Sequence, residues 1–520
     1  MEPGIYRIAT KEGNSRCFII DDRVYEPIAR LAAEFFTWQR CNSDFGWHGN
    51  CHTQDSIRLK NGEIRFLGKG HHQSSDLRKW TYGTSLGMVG YAEYALREKP
   101  LWDHGIRTEE MKHSADYFLS LIMDDGALID CTWVPEGYNE EKMRGVGFGN
   151  QNFPWHSPRM YFESPCPEAG HWNAIRELAL VALNLGEKDP EYAGKCLEGA
   201  KKIWNYLEGP GKKLNGYKIP VFPPLGHDGI EKYFKGFYEE SALRHGSRAA
   251  AAQTLYRVTK EEVYYHASKE SLRKLAALKV GGNTIDNPAA ACYYESGEAE
   301  GLANNYIYFF CTTIPQAYAG AIELWPDDKE TAFWLESARN IADQLTEVTQ
   351  RNPFGRSPGS WYIEGNDVFE TPGCFSFSTN EKPAFQKFQI GTARPQGEEK
   401  AVWYDYNSFC FNLDLLANGV FLAKMGRLTN NPRYREAAQR QLDWILGLNP
   451  FDASNVEGVG YNHPHRGIFG EFFPPVPQIP GGVYTGITEE SFSMEAQGYD
   501  CEYDMPMAGW LLYLLAELVK

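Results

Sequence analysis

Apolar residues along this chain recur mainly at the 3.6-residue period of helices. Ile28, Leu31, Ala32 and Phe35 fall on one face of a segment from about 24 to 39, and Met111, Ala115, Phe118, Leu119 and Ile122 share a face further on. Read this way, the pattern predicts twelve helices, over about 24–39, 77–96, 107–124, 170–186, 190–208, 238–258, 261–279, 301–324, 328–347, 408–426, 432–447 and 504–519. Pro315 falls inside the segment 301–324 and is expected to kink or split it. Strand-like alternation is nearly confined to the N-terminus, in Gly4-Ile-Tyr-Arg-Ile-Ala9 and Cys17-Phe-Ile-Ile20.

The helices come in pairs joined by similar turns, at Asn184 to Tyr192, Arg257 to Tyr264 and Arg427 to Tyr434. Asp189-Pro190 and Asn431-Pro432 each set a capping side chain before a proline at the first helical position. Thr259 to Glu262 has the spacing of a capping box. Each turn is short enough to make its two helices antiparallel neighbours, so the repeating unit is a helical hairpin. Six such hairpins predict an all-α fold, a closed (α/α)6 barrel or six-hairpin toroid. A two-layer helical solenoid uses the same hairpins but lacks the long irregular stretches seen at about 40–75, 128–168, 209–236, 350–405 and 449–500. Loops of that length in a compact domain carry function or are disordered, and these are rich in aromatic residues, which argues for function.

Composition narrows the classes. Of the 520 residues, 68 are Asp or Glu and 52 Lys or Arg, a formal net charge of −16. Such a chain repels phosphate backbones and anionic lipid, so no nucleic acid or membrane partner is expected, and no obligate protein partner is evident. The longest apolar stretch, Trp510 to Val519, contains Glu517 and is far shorter than the ~20 residues of a spanning helix. The first 25 residues hold no apolar signal core, so the location expected is cytoplasmic, or secreted or periplasmic if a leader has been removed. Eleven cysteines are scattered without any Cys-x-x-Cys spacing and read as small core residues in a reducing compartment. Trp, Tyr and Phe make up 14% of the chain, enough both to fill a helical core and to stack on sugar faces. Trp204, Trp334 and Trp444 have core spacing, whereas Trp155 and Trp361 lie in long loops and are candidate sugar platforms.

Two carboxylates stand out by position. Asp76 follows Gly70-His-His-Gln-Ser-Ser before one helix, and Glu502 lies in Gly498-Tyr-Asp-Cys-Glu-Tyr-Asp-Met-Pro before the last. Acids at helix starts ordinarily cap them, so each alone has a plain structural reading. As a pair they suit glycosidic hydrolysis, in which one carboxylate activates water and one carboxylic acid protonates the leaving oxygen.

Four patches of sequence resemble glycoside hydrolase family 9, the cellulase-type inverting enzymes. They are Tyr25-Glu-Pro-Ile with Phe35-Phe-Thr-Trp-Gln-Arg-Cys41; Cys51-His-Thr-Gln-Asp-Ser56 with Gly70-His-His-Gln-Ser-Ser-Asp76; Leu442-Asp-Trp-Ile-Leu-Gly-Leu-Asn-Pro450 with Val456-Glu-Gly-Val-Gly-Tyr-Asn-His-Pro-His-Arg466; and Gly481-Gly482 with Tyr499-Asp-Cys-Glu-Tyr-Asp-Met-Pro-Met-Ala508. The resemblance implies an (α/α)6 catalytic barrel over 23–520. It implies that 1–22 are residual strands resembling the end of an immunoglobulin-like domain. By the same resemblance Asp76 falls on the catalytic base, Glu502 on the catalytic acid, and His465 and Arg466 on a pair contacting the sugar. Gln73 stands where the family has an Asp that helps to hold the attacking water. His72, Tyr499, Trp155 and Trp361 complete the expected substrate contacts.

Family members often carry calcium, but no calcium-loop spacing is recognisable here, and His463 with His465 lacks a third ligand at a recognisable spacing. No metal and no cofactor is therefore expected to be required, calcium being left open but without support in the sequence. The function implied is hydrolysis of a β-linked glucan-type oligo- or polysaccharide by inversion. The charge lost at Gln73 and the histidines beside it leave two alternatives: a lyase or unsaturated-uronyl hydrolase acting on acidic polysaccharide, or a carbohydrate-binding protein whose catalysis has lapsed.

Overall fold

Six helices close a ring. The computed structural model describes residues 2–44, 51–52, 55–59, 61–74, 79, 81–97, 106–129, 160–162, 168–213, 241–281, 287–294, 313–357, 360–363, 388–405, 411–464, 479–487, 489–492 and 502–519. Its helices are α1 (Glu26–Trp38), α2 (Thr81–Arg97), α3 (Ile106–Leu121), α4 (Glu168–Leu185), α5 (Pro190–Glu208), α6 (Ala242–Thr259), α7 (Glu262–Ala277), α8 (Thr313–Leu324), α9 (Thr331–Thr349), α10 (Phe411–Thr429), α11 (Pro432–Ile445) and α12 (Met505–Leu518). Helix α2 packs on α4, α4 on α6, α6 on α8, α8 on α10, α10 on α12, and α12 back on α2. Around this inner ring α3, α5, α7, α9 and α11 each pack on the inner helix that precedes them, and α1 covers α12. The sixth hairpin is therefore built from the two ends of the chain.

Sequence patterning explains which helix goes where. Helix α12 is almost wholly apolar and buried at nearly every position, and α4 is buried just as completely although it carries Glu168, His171, Arg176 and Glu177, so both belong inside the ring. Helix α5 buries Ala193, Cys196, Gly199, Ala200, Ile203, Trp204 and Leu207, a single stripe that suits an outer helix. Trp204, Trp334 and Trp444 are all core residues, as their spacing predicts. Asp189 and Asn431 cap α5 and α11 with a proline next in line, again as predicted. Pro315 lies in helix α8, described from Thr313 onward; the segment 301–312, on which the expected kink or split depends, lies outside the described residues.

The two ends of the chain meet through glycine. A Cβ at Gly90 would sit 2.4 Å from the backbone carbon of Gly509, and one at Gly509 would sit 2.0 Å from the carbonyl oxygen of Gly87. Helices α2 and α12 thus touch backbone to backbone, and this fixes how their N-terminal ends lie beside each other.

The strands are more numerous than alternation suggests. At the N-terminus β1 (Gly4–Tyr6) pairs antiparallel with β4 (Phe18–Ile20), and β2 (Ala9–Thr10) with β3 (Gly13–Asn14). Two further three-stranded sheets occupy stretches expected to be irregular. One has the order β6 (Ile64–Phe66), β5 (Ser56–Arg58), β7 (Met160–Phe162), and the other β8 (Ser360–Ile363), β10 (Lys400–Asp405), β9 (Phe388–Ala393). With three to six residues each, these strands are too short for their alternation to stand out from the surrounding loops.

Candidate active site

At the N-terminal ends of α2 and α12, five short strips of chain lie side by side. Residues 39–41 join 70–74, where the His72 N–H donates to the Gln39 carbonyl (2.8 Å) and the Cys41 N–H to that of Gly70 (2.9 Å). Strip 70–74 joins 502–505: Ser74 bridges Asp504 in antiparallel fashion, and the Met505 N–H donates to the Gln73 carbonyl (2.8 Å). Strip 502–505 joins 483–485 through Thr485 N–H to the Glu502 carbonyl (2.7 Å) and Asp504 N–H to that of Val483 (3.0 Å). The last joins 455–457, with the Tyr484 N–H on the Asn455 carbonyl (2.9 Å) and the Glu457 N–H on that of Gly482 (2.8 Å). All four patches that carry the family resemblance meet in this one layer.

Within it, Glu502 is buried to 7% exposure, and Tyr503 turns into the core with its ring edge-on to Phe35 (5.4 Å). Gln73 is 4% exposed and its Nε2 donates to Asp504 Oδ2 at 3.2 Å. Asp76 lies outside the described residues, two positions along the chain from Ser74. His465, Arg466, Tyr499 and Trp155 also lie outside them; Trp361 belongs to β8, and its side chain is not described. Of the expected site, then, the structure brings together Glu502, Gln73 and the strip leading to Asp76.

His72 is placed differently from the sugar contact expected of it. Its ring is fully buried and its Nε2 lies 3.4 Å from Cys51 Sγ and 3.2 Å from His52 Nδ1, while His52 Nδ1 is 3.3 Å from Cys51 Sγ. With Cys41 these residues form a cluster whose four ligand atoms all lie within 4.8 Å of one another. Zinc–sulfur bonds of about 2.3 Å and zinc–nitrogen bonds of about 2.05 Å set tetrahedral edges at about 3.3–3.8 Å, which these separations approach. Two thiols, two imidazoles and full enclosure suit a structural zinc ion with no open position. Burial pushes the Cys41 thiol up and the His52 imidazole down, so without metal both are held neutral, and binding would release the thiol protons. The expectation of no metal rests on local spacings, a Cys-x-x-Cys pair, a calcium loop or a third ligand for His463 and His465; the donors here are spaced Cys41, Cys51-His52, His72, and only the fold gathers them.

The remaining histidine of the pair, His71, donates from Nε2 to the fully buried Glu110 of α3 at 2.8 Å. Glu110 also ion-pairs with Arg40 Nε (2.8 Å) and accepts from the Thr37 hydroxyl (2.6 Å). Burial alone would raise this carboxyl, but His71 and Arg40 hold it below its usual range. Just past Asp76, Lys79 is buried, ion-paired with Asp55 (3.2 Å) and bonded to the Leu67 carbonyl (2.8 Å). A further carboxyl that sequence reasoning missed, Glu168, opens α4 at the same end of the barrel; it accepts from Trp172 Nε1 (2.8 Å) and pairs with Arg244 (3.3 Å). Burial pushes it up to about 7 despite these partners.

The family profile described as glycosyl hydrolase family 9 matches residues 25–467. A cellodextrinase of Butyrivibrio fibrisolvens is 22% identical over 524 residues, covering 94% of this chain and 80% of that protein. Endoglucanase D of Acetivibrio thermocellus is 26% identical over 231 residues, 40% of this chain and 36% of that one. Among solved structures, a Bacteroides ovatus GH9 protein superposes with a TM-score of 0.60 at 16% identity, covering 100% of this chain and 87% of its own. An endoglucanase from Alicyclobacillus acidocaldarius does so at 0.63 and 14%, with coverages of 100% and 88%.

Proposed function

Because the chain belongs to glycosyl hydrolase family 9, and is thus an O-glycosyl hydrolase, we propose that it cleaves short β-linked glucans by single displacement with inversion. The observation that carries this reading is the direct seam between the strip leading to Asp76 and the strip carrying Glu502, closed by the Ser74–Asp504 bridge and the Met505–Gln73 bond. In the proposed step a water oxygen attacks the anomeric carbon while Asp76 takes its proton. Glu502 gives its proton to the departing oxygen as the old C–O bond breaks. Inversion leaves room for that water, so the two carboxyl groups should stand roughly 6.5–9.5 Å apart. Glu502 is enclosed at the seam, 7% exposed, which suits a group that delivers its proton to the leaving oxygen and not to bulk water.

The near full-length match to a cellodextrinase favours soluble oligosaccharides over a polymer. His465, Arg466, Tyr499, Trp155 and Trp361 are assigned to the sugar; an Arg fork suits paired hydroxyls. The surplus of histidine beside the base loop, which favoured a lyase, is taken up by Glu110 and by the Cys/His cluster. That cluster we assign to a structural zinc that ties strip 39–41 to strip 70–74 and takes no part in bond cleavage. No described helix is long and apolar enough to cross a membrane; the five described cysteines form no disulfide, and on that ground we place the site of action in a reducing compartment, the cytoplasm. The acidic surface argues against nucleic acid as a partner, and residues 1–22, whose Ile5 and Ile19 are exposed, are read as lead-in strands to the barrel.

Proton NMR of the products tests the mechanism. The first product anomer from a β-linked cello-oligosaccharide should be α. Asp76→Asn should abolish turnover while leaving binding, and Glu502→Gln should spare only substrates with good leaving groups, with losses of about 10²-fold or more on the natural linkage. Retained configuration, or a fully active Glu502→Gln enzyme, would sink the assignment.

A further inference from the structure

The base loop of this chain carries an amide, Gln73, at the position the family resemblance gives to a water-holding carboxylate. The structure sets a carboxylate against that amide from the other side of the seam. Asp504 is 2% exposed, and its Oδ2 accepts from Gln73 Nε2 at 3.2 Å across 431 positions of sequence. Because Asp504 Oδ2 accepts from the amide nitrogen, Gln73 Oε1 is turned the other way. It cannot swing freely: a Cβ on Gly83, in the first turn of α2, would lie 1.6 Å from Gln73 Oε1, so the amide fills the space that this glycine leaves. The backbone repeats the link, with Ser74 bridging Asp504 and the Met505 N–H on the Gln73 carbonyl. Asp504 also lies two residues from Glu502 on an extended strip, where alternate side chains share a face.

We propose that Asp504 is a positioning residue of hydrolysis: it fixes the Gln73 amide and supplies, from the acid strip, the negative charge that the base loop lacks at position 73. The pair Gln73–Asp504 then does together what a single carboxylate on the base loop would do, and it locks the base loop in register with the acid. The charge has crossed the seam. This rests on the assignment of Asp76 and Glu502 as base and acid.

A size-matched charge swap tests it, using the full chain and a cello-oligosaccharide that the parent hydrolyses, with melting temperature recorded for every variant. Asp504→Asn should lower kcat about tenfold or more and leave KM within about threefold, because the pair acts on the water and not on the sugar. Gln73→Glu alone sets two carboxyls against each other and should also lose activity. The double variant Gln73→Glu/Asp504→Asn returns one charge and one amide to the pair with their sides exchanged, and it should recover most of the lost kcat. A purely structural pair would move melting temperature with activity, whereas a positioning pair loses and regains kcat with melting temperature and KM nearly constant. Parent-like kcat in Asp504→Asn overturns the proposal, and so does a folded double variant no better than the single. If Asp504→Asn does not fold, the double variant decides alone: folded and active supports the proposal, folded and inactive overturns it. A parent that cleaves no β-glucan and is unaffected by Asp76→Asn would be the failure of the underlying assignment instead.

Discussion

Three adjacent side chains, His71, His72 and Gln73, leave the base loop in three directions and find partners on three other segments. His71 reaches Glu110 on α3, His72 the Cys41–Cys51–His52 cluster, and Gln73 Asp504 beside the acid. The loop before Asp76 is therefore held from all sides, which is what a general base needs if its water is to meet one carbon. Glu110 is the most exacting of these anchors, since it is buried with two cationic or ionisable neighbours and a hydroxyl. Glu110→Leu should remove the buried carboxylate that Arg40 and His71 share, leaving Arg40 only weaker partners such as Glu109, and cost about 3–5 kcal/mol, read by urea denaturation. The surviving folded fraction should show a lower kcat with little change in KM; a variant as stable and active as the parent would show that the anchor is idle. At this scale the sequence was only half legible. Gln73 stood out because a motif surrounds it, whereas nothing around Asp504 asks for an acid, and its partner is remote in sequence. The twin histidines looked like site residues because their partners, Glu110 and the cysteines, come from other helices and loops.

Elements were far more legible than side-chain partnerships. All twelve predicted helices have a counterpart, because apolar periodicity reports burial against the ring and the ring buries every helix on at least one face. Where local signals competed, the expectation failed. Thr259 does not open α7: its hydroxyl donates back to the Leu255 carbonyl (2.9 Å) and accepts from the Glu261 N–H (3.1 Å), with Lys260 left-handed at φ 59°. It finishes α6, and the capping box does not form. The Cys/His cluster was invisible for another reason, since its donors sit on strips that periodicity cannot see and that meet only when α1 lies beside the base loop. Metal analysis of the purified protein should find about one zinc per chain. Cys51→Ser should lower both zinc content and melting temperature, as should prolonged chelation of the parent, because the ion joins strip 39–41 to strip 70–74. Protein that holds no zinc, with Cys51→Ser melting like the parent, would make the cluster a packing feature alone.

The whole barrel has a mouth that does chemistry and a floor that is made of charge. The inner helices run parallel, so their C-terminal ends gather opposite the site, where helix dipoles favour cations. There Glu93, Glu323 and Glu517 meet Arg97, Arg257, Arg427 and Lys424 from five helices. Three acids balance the three arginines, and Lys424 is the extra cation. Burial pushes Lys424 down to about 7, the Arg97 and Arg257 charges push the same way, and Glu323 and Glu93 only partly offset them. Tyr513, whose ring lies 5.0 Å beneath Lys424, is itself pushed up by burial and stays neutral across this range. In the unfolded chain a lysine titrates near 10.4, so between about 7 and about 10 the unfolded state holds one more proton than the folded one. Stability from this group therefore rises with pH through that window, and the full penalty of charging Lys424 is present below about 7, at roughly 1.4 kcal/mol for each unit of depression. Lys424→Met keeps the length of the side chain and leaves the acids and arginines in balance. It should melt above the parent at pH 6 and level with it at pH 10, with hydrolysis at the distant mouth unchanged. A variant less stable than the parent at pH 6 would mean that the acids need the fourth cation, and that the floor is held by Lys424 rather than burdened by it.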